Sequence, residues 1–275
     1  KGDYVRPKGL DFKKGKKLIT AGQKLNYRHL SLIAAMNVPW VNVVRKPRIA
    51  ILATGNELAM PGEINDENQI VSSNSIGLAA FVTACGGEAL NLGIAEDKPE
   101  SILKLVSQID TTDLLVTIGG ASVGEEDHLV NVINKLGKVI FWKAAIKPGR
   151  PIAMGKIQNC YIICLPGNPV SVQLLYAFIV KPFIEYLAGG IFLLPVPEKI
   201  KVNFNMSKKT KRMEWLRVKK RKINIEFFAE KFPKQGSGMI SSMAYSDGII
   251  EIPENISKVK SGEKYDYYDF KILFP

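Results

Sequence analysis

Cysteine and histidine are scarce in this chain of 275 residues, which contains three cysteines and two histidines. Three irregularly spaced cysteines do not form the disulfide framework of a small secreted domain. So few histidines also argue against a zinc site built from Cys and His ligands. Any metal would therefore need oxygen ligands, and a reducing, cytoplasmic location is expected. Cys160 and Cys164 lie four residues apart on a predicted strand, so both should face the core.

Long apolar runs are also missing. No stretch reaches the roughly 18 residues that a membrane helix needs, and the best candidate, residues 174–180, is stopped by Lys181 and Pro182. The amino terminus has no signal-peptide pattern. Because the chain begins with Lys1 rather than Met, we expect it to be the remainder of a longer protein. Its length predicts about two domains.

Acidic residues are outnumbered, and the net charge is +12. Residues 199–222 contain 11 Lys or Arg and one acid, Glu214. Such a balance suits nucleic acid, an acidic membrane or an anionic small molecule, and the local run also suits a solvated β-hairpin face. Since no aromatic ladder or RNA-binding signature accompanies it, we favour the hairpin and predict neither a nucleic-acid nor a membrane partner.

The pattern along the chain changes twice. Residues 1–47 predict a linker and remnant of an N-terminal domain, with a helix over 25–36 and a strand over 38–44. Residues 48–189 alternate strands with helices, which predicts an α/β domain whose mainly parallel sheet has helices on both faces. The helix over 75–84 should be capped by Asn74. Residues 190–275 contain short β-rich segments and predict a small all-β domain, a sandwich or an open barrel.

Three glycine-containing turns each follow a predicted strand of the α/β domain. Glycine lets backbone N–H groups approach a ligand closely, and a following helix N-terminus favours an anion. Ligands of such sheets bind beyond the carboxyl ends of the strands, so three turns at one edge predict a site, whereas one alone is usually only a turn. The turns supply Thr54 and Gly55, then Gly119, Gly120, Ser122 and Gly124, and finally Pro166, Gly167 and Asn168.

Charged residues of both signs flank these turns. Lys143 and Lys147 lie in a basic segment, residues 143–151, and suit an oxyanion or a polyphosphate, although they could be ordinary surface lysines. Glu57, Asp97 and Asp127 each follow a strand, so their oxygens could converge on Mg²⁺. Taken singly, each acid would equally suit the first turn of a helix.

Five motifs in one order carry a family resemblance. They are Thr54-Gly-Asn-Glu-Leu, Ser73-Asn-Ser, the segment 119–127, Lys147-Pro-Gly-Arg-Pro and Leu165-Pro-Gly-Asn-Pro. Together they resemble the MoeA-type molybdopterin molybdenumtransferases and are similar to the gephyrin E-domain, over essentially the entire chain. Any single motif would also suit the molybdopterin adenylyltransferases.

The resemblance implies a function. The family inserts molybdenum from molybdate into adenylyl-molybdopterin and releases AMP with Mg²⁺. The resemblance also implies a homodimer, with molybdopterin adenylyltransferase as a possible partner. It implies catalytic roles for Glu57, Asp97, Asp127, Lys143 and Lys147, the three acids also holding the metal. It further implies that substrate is bound by Ser73, Asn74, Pro148, Gly149, Arg217 and Ser237 in addition to the residues of the three turns.

Two departures from the family pattern temper this expectation. Asn56 stands where the family usually has Asp. The sequence also does not include the N-terminal portion that the family has, so this chain alone could bind ligand without turning it over. A catalytically silent pterin-binding or scaffold protein therefore remains an alternative, as does adenylyl transfer from ATP to molybdopterin. The all-β tail and the 165–169 turn favour molybdenum insertion.

Overall fold

The computed structural model describes residues 2–64, 66–96, 98, 100, 101, 104, 111–120 and 128–275. Its strands are β1 Arg48–Thr54, β2 Leu58–Ala59, β3 Ile70–Val71, β4 Glu88–Ala95, β5 Leu114–Ile118, β6 Lys138–Trp142, β7 Ile146–Lys147, β8 Ala153–Ile157, β9 Cys160–Leu165, β10 Glu198–Val202, β11 Met206–Ser207, β12 Met213–Ile223, β13 Glu226–Lys231, β14 Gly248–Ile252, β15 Lys258–Val259 and β16 Lys264–Asp269. Its helices are α1 Tyr27–Ala35, α2 Ser73–Ala84, α3 His128–Leu136, α4 Pro169–Leu187, α5 Ser241–Ala244 and α6 Phe270–Leu273.

The first sheet has the strand order β4-β1-β5-β9-β8-β6. The four strands from β4 to β9 are parallel, which confirms the mainly parallel sheet. β8 and β6 complete it in antiparallel orientation. β8 was not predicted, because the tight turn that joins it to β9 has φ +51° at Gln158, and glutamine is not a residue that signals such a turn.

Side chains of the first sheet alternate between two apolar layers. Ile49 and Ile51 of β1 pack with α2 and α4 in one hydrophobic cluster. Ala50 and Leu52 face the other way, into a cluster with α3. Cys164 lies in that second cluster together with Cys160, so the prediction that both cysteines are core residues is confirmed. Both faces of the sheet are therefore covered, and a ligand must approach from an edge.

The second sheet is a small barrel. Its order is β13-β10-β16-β14-β12-β7, and β13 also pairs with β12, which closes a ring of five strands. The all-β prediction for this region is confirmed, although the strand Lys264–Asp269 was missed. Its sequence contains charged residues, but Tyr265 and Tyr267 alternate with them and fill the barrel interior, as the two-residue period of a strand requires.

One strand from the α/β part of the chain joins the barrel sheet, and the two sheets share a core. β7 pairs in parallel with β12 of the barrel. The ring of Phe178 on α4 stacks on Trp215 of β12, with centroids 4.5 Å apart, and meets Tyr268 edge-on at 4.9 Å. The boundary predicted near residue 190 stays a prediction, but β7 already belongs to the barrel sheet, so residues on either side of that boundary build one surface.

Residues of the β12–β13 hairpin form ion pairs on the barrel surface, two through their basic side chains and one through an acid. The pairs are Lys220 with Glu198, Lys201 with Glu226, and Arg221 with Glu230. The run at 219–222 lies on this hairpin, as the hairpin interpretation of the charge pattern predicted. Paired and solvated cations of this kind contribute little to stability.

The segment before β1 is mostly irregular. α1 begins after Asn26, whose side chain accepts hydrogen bonds from the first turn. The predicted strand over 38–44 is wrong, because that part of the structure contains no strand, and side chains such as Trp40 are exposed. A strand requires a partner edge as well as apolar alternation. Arg45 anchors the segment through two hydrogen bonds of 2.7 Å to Asp113.

α4 is long and apolar enough to cross a membrane, although 67% of its apolar window is buried inside the protein, as in the core helix of a globular domain. It begins at Pro169 and contains one wide π-type turn, Tyr176–Val180. Pro182 follows that turn and has no N–H to donate, which favours a local change in helical pairing.

Candidate active site

The register of the first sheet brings the loops to one edge. Leu52 is paired with Thr117, Thr117 with Cys164, Cys164 with Ala153, and Ala153 with Trp142. The chain segments that follow β1, β5, β9 and β6 therefore leave the sheet on the same side. This side is the carboxyl edge of the parallel strands, where ligands of open α/β sheets bind.

The first two turns touch each other. Gly119 and Gly120 have φ angles of +92° and +65°, and a Cβ atom on Gly119 would collide with the carbonyl oxygen of Thr54. A Cβ on Gly120 would lie 2.8 Å from the hydroxyl of Thr54. The amide of Gly119 also donates to the carbonyl of Leu165 at 3.0 Å. Glycine is thus required where β1, β5 and β9 end together.

Thr54 carries a buried polar atom without a partner. The residue is 2% exposed, and its hydroxyl oxygen makes no hydrogen bond with the residues that the structure describes. An unsatisfied buried hydroxyl is unfavourable by about 1–3 kcal/mol. Such an atom at the edge of a sheet is where a ligand or a bound water would be expected.

Glu57 lies over the first turn. The carboxylate is so close to Gly55 that a Cβ there would be 2.7 Å from one of its oxygens. Gly55 donates its amide to the carbonyl of Ala95, the last residue of β4. Glu57 itself is exposed, so its charge faces the same edge as the glycine turns.

Asn74 joins helix α2 to the third turn. Its side-chain amide donates to the carbonyl of Gly167 at 2.8 Å. Its side-chain oxygen is buried and has no hydrogen-bond partner in the described part of the chain. The prediction that Asn74 caps the helix is wrong: Ser72 occupies the cap position, and Asn74 lies in the first turn, after the exposed Ser73. The amide is therefore free to hold the turn from another part of the chain.

The third turn meets the barrel. Pro166 is buried, whereas Gly167 and Asn168 are exposed. α4 starts directly afterwards, and its Val170 amide donates to the carbonyl of Ser237 at 3.0 Å. Ser237 therefore belongs to this edge although it is far along the chain. One N–H at the helix start is used by the protein itself, which leaves fewer groups there for an anion than the sequence suggested.

Arg217 is buried beside the loop that carries Ser237 and donates hydrogen bonds to it. It is 1% exposed and donates to the hydroxyl of Ser242 at 3.0 Å and to the carbonyl of Gly236 at 2.9 Å. Burial lowers the pKa of its guanidinium to about 10. The substrate-binding role that the resemblance implies for Arg217 stays a prediction, but the bonds in the structure hold the loop that carries Ser237.

The two predicted lysines stand in different surroundings. Lys143 follows β6 with φ +68°, and its ammonium lies 3.9 Å from the centroid of the Trp142 ring. Lys147 is exposed and lies 3.3 Å from a carboxylate oxygen of Glu214, whose side chain is only 8% exposed. Glu214 was not among the predicted site residues, since its partner becomes visible only through the pairing of β7 with β12.

Pro148 and Gly149 continue the chain from Lys147. Gly149 is buried with φ +112°, and a Cβ there would lie 3.2 Å from Ile146 and 3.3 Å from Leu175 of α4. This glycine allows the basic loop to pack against the helix that the third turn begins. The loop therefore lies on the same part of the molecule as that turn.

Four predicted site residues, Asp97, Ser122, Gly124 and Asp127, lie outside the described residues. Within the described residues, no group of three His, Cys, Asp or Glu side chains could hold a metal ion. Glu57 is the one predicted metal ligand that is described, and a single carboxylate does not form a magnesium site. The described residues thus do not make up the metal site by themselves.

Comparison with known protein families agrees with this architecture. Residues 50–186 match the family described as "Probable molybdopterin binding domain", and residues 199–270 match "MoeA C-terminal region (domain IV)". The chain is 31% identical over 274 residues to the molybdopterin molybdenumtransferase of Haemophilus influenzae, which covers 98% of this chain and 67% of that protein. A protein of the same name from a Nostoc species is 33% identical over 193 residues, covering 68% of this chain and 44% of that protein.

Solved structures are similar as well. The molybdopterin biosynthesis MoeA protein from Pyrococcus horikoshii superposes with a TM-score of 0.80 and 30% identity, covering 95% of this chain and 64% of that chain. A molybdenum cofactor biosynthesis protein from Pyrococcus furiosus superposes with a TM-score of 0.70 and 25% identity, covering 94% and 81%. The chain spans about two thirds of the length of the relatives from Haemophilus influenzae and Pyrococcus horikoshii.

Proposed function

The chain belongs to the MoeA-type molybdopterin molybdenumtransferase family, and on this premise we propose that it acts in molybdenum cofactor biosynthesis. The proposed reaction transfers molybdenum from molybdate to adenylyl-molybdopterin and releases AMP. The observation that carries the proposal is the common edge at which the turns after β1, β5 and β9 meet. A large, flat, phosphate-bearing ligand needs several backbone donors on one surface.

We assign the pterin and its phosphates to this edge. Gly167 is exposed and leaves room for a ligand at the strand ends. The space beside Gly55 and Gly119 is instead occupied by Glu57 and Thr54, so these two glycines allow the turns to pack closely. Within the described part of the chain, the hydroxyl of Thr54 and the side-chain oxygen of Asn74 have no partner and are available polar groups. The carboxylate of Glu57 would repel a phosphate, so we place it on the side where a cation is held. Ser73, Pro166 and Asn168 complete the proposed surface.

We assign molybdate to the basic loop and the barrel. Molybdate is a dianion, so it should bind near Lys143 and Lys147 with the Ser237 loop on the opposite side. Pro148 and Gly149 place the loop against α4. Lys147 forms an ion pair with the buried Glu214. This carboxylate orients the ammonium and also lowers the net positive charge available to an anion.

We propose that Glu57, Asp97 and Asp127 bind a magnesium ion. A bound divalent cation would neutralise phosphate charge next to the proposed pterin site. Chelation should therefore stop AMP release, and Mg²⁺ should restore it. Asp127→Ala is expected to abolish metal-dependent release in a protein that remains folded by circular dichroism, and unchanged release would remove Asp127 from the metal site.

Release of AMP from adenylyl-molybdopterin, with and without molybdate, tests the proposed reaction. We expect release that depends on molybdate and on Mg²⁺ in the complete protein. Binding without release would instead support a catalytically silent pterin-binding protein. Formation of adenylyl-molybdopterin from ATP and molybdopterin would support the adenylyltransferase alternative, which the match to the MoeA C-terminal region disfavours.

The role of Lys147 requires a paired control. Lys147→Ala leaves the Glu214 carboxylate buried and without its cation, which is itself destabilising. We therefore compare Glu214→Gln with the double variant Lys147→Ala, Glu214→Gln, in which no buried charge is stranded. Weaker use of molybdate in the double variant alone is expected, and equal molybdate dependence of the two proteins would exclude the assignment.

We further infer a cytoplasmic homodimer. The three cysteines are buried and form no disulfide bond, which fits a reducing compartment. A dimer and a molybdopterin adenylyltransferase partner follow from the family resemblance. Light scattering on the chain, alone and mixed with an adenylyltransferase, measures both. A monomer at all concentrations would contradict the first inference, and an unchanged mass on mixing would contradict the second.

A further inference from the structure

A buried tyrosine hydroxyl reaches the backbone beneath the candidate site. Tyr176, in the middle of α4, is 2% exposed, and its hydroxyl donates to the carbonyl of Asn74 at 2.7 Å. Burial raises the pKa of this phenol well above its ordinary value, so it stays protonated and remains a donor. The ring packs against Phe81 of α2 with centroids 5.6 Å apart. Packing alone would be provided by phenylalanine, so the hydroxyl needs a separate explanation.

Asn74, the residue that Tyr176 contacts, also contacts the third turn. Asn74 accepts from Tyr176 with its backbone carbonyl and donates to the carbonyl of Gly167 with its side-chain amide. The middle of α4, the first turn of α2 and the turn before α4 are thereby connected in series. We refer to these three residues, Tyr176, Asn74 and Gly167, as the Asn74 clasp. Gly167 lies close to Gly119, with 4.0 Å from its Cβ position to the Gly119 Cα.

The helix geometry is irregular at the same residue. The wide turn Tyr176–Val180 begins at Tyr176, whose carbonyl accepts from the amide of Lys181. A π-type turn inserts a residue into a helix and is often found at functional sites. It separates the half of α4 that carries the third turn from the half that packs on Tyr161 through Phe183. Tyr176 is the first residue of the wide turn and directly follows the half that faces the site.

We propose that Tyr176 is a positioning residue for the candidate site: its hydroxyl fixes Asn74, and the Asn74 amide in turn fixes Gly167 in the conformation that receives the ligand. This inference rests on the proposed function, because the ligand is taken to be adenylyl-molybdopterin. Tyr176 touches no ligand in this assignment. Its influence passes through the Asn74 clasp.

Tyr176→Phe tests the proposal, since it keeps the ring and removes only the hydroxyl. Tyr267→Phe is a matched control: its ring is fully buried in the barrel, and its hydroxyl also donates to a backbone carbonyl, that of Asp247 at 3.1 Å. Each variant loses the hydrogen bond from a buried tyrosine hydroxyl to a backbone carbonyl. We expect both to melt at a lower temperature than the wild type, by similar amounts.

Two measurements separate positioning from general destabilisation. Amide hydrogen exchange at the non-proline residues of 166–172 should become about fivefold faster in Tyr176→Phe and stay unchanged in Tyr267→Phe, as loss of one hydrogen bond predicts. The Kd for adenylyl-molybdopterin should rise by about fivefold in Tyr176→Phe only. In an Asn74→Ala background, Tyr176→Phe should add no further loss of binding, because the connection to Gly167 is already cut.

The outcomes are distinguishable. Unchanged exchange at 166–172 in Tyr176→Phe would overturn the clasp, and faster exchange with an unchanged Kd would overturn its role in ligand binding. If the wild-type protein does not bind adenylyl-molybdopterin, the proposed function fails. The exchange measurement then still decides whether Tyr176 holds the turn.

Discussion

Gly119→Ala should destabilise the protein strongly, because Gly119 stands where three strands end together. Its φ of +92° is unfavourable for alanine by about 1–2 kcal/mol. The new methyl group would also collide with the carbonyl oxygen of Thr54, which belongs to the central strand β1 and cannot move as a side chain can. Overpacking of this kind is unfavourable by about 1–3 kcal/mol. We therefore expect a loss of about 2–5 kcal/mol in the free energy of unfolding.

Gly93→Ala is the control for the backbone contribution. Gly93 has φ +81°, and no atom lies within 4 Å of the position that its Cβ would take. It shares the left-handed backbone but not the close contact. We expect it to lose only about 1–2 kcal/mol. Urea titration followed by circular dichroism gives the free energy of unfolding of both variants and the wild type.

The difference between the two variants isolates the contact between β1 and β5. Equal destabilisation of Gly119→Ala and Gly93→Ala would refute the reasoning that these strand ends are in tight contact. The same pair tests the proposed ligand site. Gly119→Ala should weaken binding of adenylyl-molybdopterin at a temperature where both variants remain folded, and Gly93→Ala should bind as the wild type does.

Two further predictions concern the packing around the sheets. Hydrogen bonds from Arg45 hold the pKa of Asp113 below its usual range. This carboxylate therefore stabilises the fold above its ordinary pKa, and that stability is lost as the pH falls through the lowered value. Melting temperatures recorded between about pH 5 and pH 2 should fall less steeply for Asp113→Asn than for the wild type, and parallel curves would contradict this. Phe178→Ala removes the ring that stacks on Trp215 and should lower the free energy of unfolding by about 3–5 kcal/mol. Phe192→Ala, at an exposed position, should change this free energy by about 0.5 kcal/mol or less. Similar losses in urea titrations of the two variants would show that the stack does not join the sheets.

Local patterns predicted most of the first sheet. β1 and β5 are nearly continuous apolar runs that a sheet covered on both faces requires. The segment over 38–44 has the same apolar character but forms no strand, because pairing depends on a free neighbouring edge. The opposite error occurred at β16, where charged residues obscured a strand whose tyrosines are buried.

For the candidate site, the order of glycine turns after strands was readable from the sequence, since strand direction determines the edge at which each turn lies. The partners of individual side chains were not. Asn74 looked like a helix cap and instead bonds to Gly167, 93 residues away. Lys147 was predicted from the sequence to suit an oxyanion or a polyphosphate, and its ion pair with Glu214 was not foreseen. In each case the sequence pattern was local and the contact was not.

The sequence by itself therefore determined the family, the succession of strands and helices, and the chemical character of the turns, because these depend on residues near one another in the chain. Only the tertiary structure decided that Ser237 meets the start of α4, that Arg217 is buried beneath it, and that Tyr176 lies under Asn74. Such contacts arise when distant segments pack to bury apolar surface and to satisfy buried polar groups. No periodicity along the chain encodes which of them will meet.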